Sequence, residues 1–171
     1  MTTETELNPC FAIKPTPEHQ WLDQLLGEWT YEGECSIGPD KPKEKNTGKE
    51  VFRSLGGVWV IGEATAKMAD GDDANMIMTL GYNPDTKRYV GSWVGSMMTH
   101  MWVYDGVMDE AKKVLTLNAE GPDMTNPGKT AKYQDIIEIK SPDHRILRSQ
   151  LLGPDGKWVQ FMESHYKRVS K

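Results

Sequence analysis

Cysteine is scarce in this chain: Cys10 and Cys35 are the only two in 171 residues. Two thiols cannot fill the shell of a structural zinc site and are too few for a disulfide scaffold, although a single Cys10–Cys35 bridge and two idle thiols are both open. The four histidines fall at no i, i+4 or His-x-His spacing, so no metal site is expected. Long apolar runs are also missing. None reaches the ~18 residues that a membrane-spanning helix needs. The acidic stretch Met1 to Glu6 lacks the basic flank and apolar core of a signal peptide, which makes the cytoplasm the expected location. Blocks of one charge sign are absent as well. With 20 Lys and Arg against 25 Asp and Glu, the formal net charge is −5, and no basic stripe exists to hold a nucleic-acid backbone. There is no Gly-x-x-x-x-Gly-Lys phosphate loop, no Gly-x-Ser-x-Gly elbow and no dinucleotide fingerprint.

What is present is bulky and soft. Six Trp, six Tyr and ten Met carry much of the apolar volume, although apolar residues make up only 37% of the chain. A single domain of this length buries roughly 70% of its unfolded surface, enough for a sizeable core. Residues 1–15, with Pro9 and Pro15 and no periodicity, read as a flexible arm, and residues 16–171 as one domain. Thr16-Pro17-Glu18 has the marks of a helix start: a hydroxyl at the cap, proline in the first turn, and an acid beside the positive end of the dipole. Trp21, Leu22, Leu25 and Leu26 then form one apolar stripe, and Gly27 ends the helix.

From Glu28 the period changes to two. Glu28, Thr30, Glu32, Glu34 and Ser36 alternate with Trp29, Tyr31, Gly33, Cys35 and Ile37, which turns Trp29 inward. Turn chemistry recurs at Gly38-Pro39-Asp40, Gly56-Gly57, Asp70-Gly71-Asp72, Asn83-Pro84-Asp85, Asp109-Glu110, Ser141-Pro142-Asp143 and Gly153-Pro154-Asp155-Gly156. The runs between them give about ten strands joined by connections too short for parallel crossovers. The expected architecture is all-β: a closed antiparallel up-and-down barrel with one short N-terminal helix plugging an end. Closure removes the two raw edges that an open meander would leave. A two-sheet sandwich is the rival, but it needs longer crossovers than this chain offers outside Gly121 to Lys129.

Parity selects the candidate site residues. In the run from Lys132 to Ile139, Tyr133, Asp135, Ile137 and Ile139 share the inward face. A carboxylate placed there must be hydrogen-bonded, paired or neutral, so Asp135 is either a structural partner or a ligand anchor. His100, Trp102 and Tyr104 share one face and Met101, Val103 and Asp105 the other, and parity alone leaves open which is inward. The ring face would make a pocket wall with polar tips, with His100 either part of it or a structural residue. Trp93 and the soft, unbranched Met97 and Met98 fit an adaptable apolar lining as readily as an ordinary core. Glu120, at a strand end, and His165, on the last strand with Phe161 and Glu163, are candidates for the barrel mouth or for a solvated face. His19, in the first helical turn, reads as surface or packing.

The residues also resemble known barrels. The helix running into Gly27-Glu28-Trp29 is similar to the Gly-x-Trp opening of lipocalins and fatty-acid-binding proteins. That resemblance implies Trp29 at the barrel floor, covered by an arginine of the last strand, for which Arg168 is the match. Over a longer span the chain from about His19 resembles a bacterial family known only as a domain of unknown function, number 1579. The matching stretches are His19-Gln20-Trp21-Leu22, Gly27-Glu28-Trp29-Thr30, Ser54-Leu55-Gly56-Gly57, Met78-Thr79-Leu80-Gly81-Tyr82, Gly95-Ser96-Met97-Met98-Thr99-His100, Lys157-Trp158 and His165-Tyr166. This second resemblance implies a lipocalin-like fold and no activity. Haem-binding nitrobindin-like barrels continue Gly-x-Trp with a glycine pattern that Tyr31 breaks, so no haem and no other cofactor is expected.

Three functions from different classes fit these readings. The first is a container for a small, largely apolar molecule, with few polar anchors inside. The second is an enzyme in the same cavity with Asp135 and His100 as acid and base, which requires the two to converge. The third is a solid barrel whose surface mediates homodimerisation.

Overall fold

The computed structural model describes residues 13–36, 41–67 and 71–171. Most of the N-terminal arm, Cys10 with any bridge to Cys35, and the turn at Gly38-Pro39-Asp40 lie outside the described residues.

A six-residue helix α1, Pro17–Leu22, runs on as one 3-10 turn over Asp23–Leu25. His19 accounts for the firm start. Its Nδ1 accepts the Thr16 backbone N–H at 3.0 Å, the reach-back that a capping box usually assigns to Glu or Gln. The ring is buried and packs edge-on against Tyr82 with centroids 5.7 Å apart, so His19 is a packing residue. Gly27 then turns the chain into the first strand at φ 102°. A side chain there would collide with the backbone of Ser170 and Lys171, so the glycine is required twice over.

Ten strands follow: β1 Gly27–Cys35, β2 Glu44–Leu55, β3 Trp59–Lys67, β4 Asp73–Asn83, β5 Arg88–Gly95, β6 Trp102–Met108, β7 Val114–Pro122, β8 Thr130–Ser141, β9 His144–Leu152 and β10 Trp158–Ser170. Each pairs antiparallel with its sequence neighbours, and β1 pairs with β10 from Glu28↔Ser170 to Cys35↔Met162. The barrel is therefore closed and up-and-down, as the short connections require, and the sandwich is excluded. α1 covers the end where β1 begins: Trp21, Leu22 and Leu25 join Val60, Leu80, Tyr89 and Leu115 in one core. Trp21 Nε1 donates to the Lys112 carbonyl at 2.8 Å and Tyr89 Oη to that of Glu18 at 3.3 Å, which ties the plug to the turn between β6 and β7 and to β5.

Trp29 sits at the centre of this closed end, fully buried. Its Nε1 donates to the Leu25 carbonyl at 2.8 Å. Arg168 lies over one side of the ring, Cζ 4.0 Å from its centroid, and hydrogen-bonds the carbonyls of Leu26, Gln24 and Pro142. A second arginine, Arg145 of β9, lies over the Trp29 ring at 4.9 Å and over Tyr166 at 3.8 Å, and pairs with Glu50 of β2. Both partners of that ion pair are buried. Breaking such a pair strands an uncompensated charge in the interior. Glu50→Gln should therefore cost about 3–5 kcal/mol of unfolding free energy, read by urea denaturation. The double change Glu50→Leu with Arg145→Met should recover most of that loss. A double variant as damaged as the single one would show that the ion pair is not the source.

Candidate functional site

The inward faces of the strands divide the barrel into two unlike halves. Toward the plugged end the inward side chains are large and buried: Phe52, Val60, Leu80, Tyr89, Tyr104, Leu115, Leu117, Ile137 and Tyr166. Toward the opposite end small residues replace them, with Gly33, Gly48, Ala64, Ala66 and Ala74 on β1 to β4. Inward residues of this half keep part of their surface in contact with solvent, among them Met76, Trp93, Trp102, Asp135, Leu151 and Met162. An inward side chain can touch solvent only if solvent enters the barrel, so this half is an open lumen above a solid floor. An open cleft of ≈1180 Å³ reaches it from the β1–β2–β10 side. Tyr31, Gly48, Ala66, Phe161 and Met162 border the cleft within, and the larger part of its border is polar and charged side chains of the outer face and rim, among them Glu32, Lys45, Lys49, Lys67, His165 and Lys167.

Asp135 lies where floor and lumen meet. Tyr104 Oη donates to its Oδ2 at 2.5 Å, and Ser149 Oγ donates to Oδ1. Burial drives the Asp135 carboxyl pKa above its ordinary value, and the two hydroxyl donors only partly offset that rise. No cation pairs with it among the described residues, and the nearby Arg145 is paired with Glu50. Burial, and then the neighbouring Asp135 charge, push the Tyr104 phenol well above its usual value, so Tyr104 stays protonated and serves as a donor.

The far wall is a series of rings. Trp93 pairs across the strands with Trp102. His100 meets Trp102 edge-on at 4.9 Å, Trp102 meets Tyr133 at 4.7 Å, and Tyr133 meets Phe161 at 6.2 Å. Three of the rings are anchored. His100 Nε2 lies 3.2 Å from the Glu120 carbonyl oxygen, and Trp102 Nε1 donates to Met98 Sδ at 3.1 Å. Tyr133 Oη donates to the Pro122 carbonyl at 2.6 Å. Gly121 lets Trp102 and His100 come this close, since a β-carbon on it would stand 2.6 Å from the indole. Met97, Met98, Met124 and Trp158, each about two-fifths exposed, ring the mouth above this wall.

Five sequence candidates, Trp93, His100, Trp102, Tyr133 and Met97, thus gather on one side of the mouth, with Asp135 and Tyr104 below them. Glu120 contributes only its backbone to this group, since its carboxylate is exposed and accepts from Thr130 at 3.2 Å. His165 and Phe161 share β10 but not a face. A bulge between Gln160 and Met162 shifts the β10 register, so Phe161 turns to Tyr133 inside. His165 lies outside, stacked on His144 at 5.4 Å with its Nε2 3.1 Å from Glu163. The acid–base pair of Asp135 with His100 does not form. His100 sits over Gly121, which pairs with Ala131, and Asp135 is four residues further along β8, about 13 Å of strand. Reading the sequence passed over Arg145, Glu50 and Ser149. The only available signal was parity, which puts Arg145 and Ser149 in line with Leu147 and Leu151.

No curated protein matches this chain. Among solved structures it is similar to the S-type phycobiliprotein lyase CPES from Guillardia theta, at 13% identity and TM-score 0.62, over 91% of this chain and 94% of that one. It is also similar to Rv2717c from M. tuberculosis, at 15% identity and TM-score 0.59, over 91% of this chain and 99% of that one. At such identities the likeness is one of fold. The model of the family described as "Protein of unknown function (DUF1579)" matches residues 14–168, nearly the whole chain, and the chain belongs to that family.

Proposed function

We propose that this protein binds a small, largely apolar molecule in the open half of its barrel. The observation that carries this reading is the contrast between the two halves: buried inward side chains on the floor, solvent-touched ones above it. Interiors are normally packed to crystal-like density, and an unfilled half forfeits both contacts and apolar burial. A cavity that costs stability and opens to the outside is what a ligand would fill. The lining has the usual composition of such sites, apolar and aromatic walls with sparse polar groups, and Asp135 with Ser149 and Tyr104 is the anchor at its base. The methionines at the mouth supply an adaptable apolar rim. The cytoplasm is the proposed location and a homodimer the proposed assembly, neither of which the lumen requires. Catalysis is not part of the proposal, since Asp135 and His100 have separate partners.

Two measurements test it. Native mass spectrometry of protein purified from its own host should show a co-purifying small molecule. Nile red, a neutral apolar dye, should bind with enhanced fluorescence, and Ala66→Phe, which fills the lumen from β3, should weaken that binding at least tenfold while the circular dichroism spectrum is kept. Undiminished dye binding in Ala66→Phe would place the dye elsewhere and sink the reading. A third expectation concerns pH. A carboxyl whose pKa is raised by folding disfavours the folded state once it ionises, so its penalty is absent below the unfolded pKa and complete above the folded one. Thermal melts of Asp135→Asn should therefore gain on the parent as pH rises from acid to neutral. A difference between the two proteins that does not change with pH would mean the carboxyl is not held in a desolvated site.

A further inference from the structure

Among the described residues, Glu50 and Asp135 are inward-facing carboxylates below the rim, and their circumstances differ. Glu50 has Arg145 against it. Asp135 has two hydroxyl donors and no cation. Hydroxyls donate to a carboxylate without neutralising it, and a buried carboxylate without a counter-charge is costly to keep. Above Asp135 stand Trp102 and Tyr133, rings 4.7 Å apart and nearly perpendicular, with Phe161 beyond and Trp93 beside. Faces of tryptophan and tyrosine attract cations within about 6 Å of the ring centroid. The protein already uses this contact below, where Arg145 and Arg168 lie over Trp29. Of the five lysines bordering the cleft, Lys67 is paired with Asp73 at 2.6 Å and Lys43 with Glu34 at 3.6 Å, and Lys45, Lys49 and Lys167 lie on the outward parity of their strands. The net charge of −5 favours the approach of a cation over that of an anion.

We infer that the lumen selects an organic cation, an ammonium group on an apolar body, with the charge held between the Asp135 carboxylate and the rings of Trp102 and Tyr133. The inference rests on the lumen being the binding site and adds the chemistry of its ligand. An ammonium there supplies the counter-charge that the fold provides for Glu50 and withholds from Asp135. Its apolar substituents lie against the aromatic wall and the small residues opposite.

Three probes of one shape separate the possibilities: benzyltrimethylammonium, its neutral carbon isostere neopentylbenzene, and the anion benzylsulfonate. Each is titrated against the Nile red complex, with displacement read by fluorescence. The cation should displace the dye at a concentration at least tenfold lower than the isostere, although the isostere is the more apolar of the two. Benzylsulfonate should be the weakest. Asp135→Asn should reduce the preference for the cation to within about threefold. Trp102→Leu, which keeps an apolar wall, should also reduce it, and it serves if Asp135→Asn fails to fold. If neopentylbenzene displaces the dye as well as the cation does, or benzylsulfonate better, the cation inference is overturned and the apolar site stands. If neither variant changes the preference, the cation sits elsewhere and the inference falls. If Nile red does not bind at all, both readings fall together.

Discussion

The structure turns on the contact between Trp29 and Arg168. A ten-stranded meander becomes a barrel only if its first and last strands meet, and every other pair in this sheet joins sequence neighbours while that one spans the whole chain. The clasp reinforces the seam at its lower end. The indole is fixed to the helix through Leu25, and the guanidinium stacked on it reaches Leu26, Gln24 and Pro142. One ring and one side chain thereby join the helix, β1, β10 and the turn between β8 and β9. A stacked arginine contributes about 1–2 kcal/mol by itself, but its larger effect is geometric, because it fixes where the plug sits.

With that end fixed, the other can stay open. Arg145 packs on Trp29, Phe52 and Tyr166, so the base of the barrel is filled by rings and a guanidinium rather than by aliphatic side chains alone. The aliphatic core lies beside it against the helix. Small residues on β1 to β4 then leave the upper half unfilled, and aromatic residues on β5, β6 and β8 face the space so created. The lumen is offset toward the small-residue side, and that is where the cleft reaches it.

Much of this was legible in the sequence, for reasons that differ by element. Strand positions could be read because Gly, Pro, Asn and Asp cluster between runs, and β3 falls between the Gly56-Gly57 and Asp70-Gly71-Asp72 turns as those marks require. The inward position of Tyr133 followed from a two-residue period over eight residues of β8. The same logic failed on β10, where the bulge at Gln160 and Met162 inverts the parity on one side of it. No local residue type announces that bulge. Arg145 and Glu50 were missed for another reason. Arginine two residues after Pro142-Asp143 looks like ordinary turn chemistry, and Glu50 beside Val51 offers a choice of faces. Only the pairing of strands far apart in sequence decides that Val51 faces outward and Glu50 lies against Arg145.

The contrast between the two interior acids bears on function more directly than any motif. A fold that needed Asp135 only as a polar brace could have used asparagine, which would accept from one of the two hydroxyls and donate to the other and carries no desolvated charge. Glu50 shows the alternative solution, a carboxylate with its cation supplied from within the chain and walled off from solvent. Asp135 follows neither course. It sits at the boundary where the packed floor gives way to open space, held by two donors and keeping some of its surface on the lumen. A carboxylate in that position answers to whatever occupies the space above it: water lowers the cost of its charge, and a bound cation lowers it further.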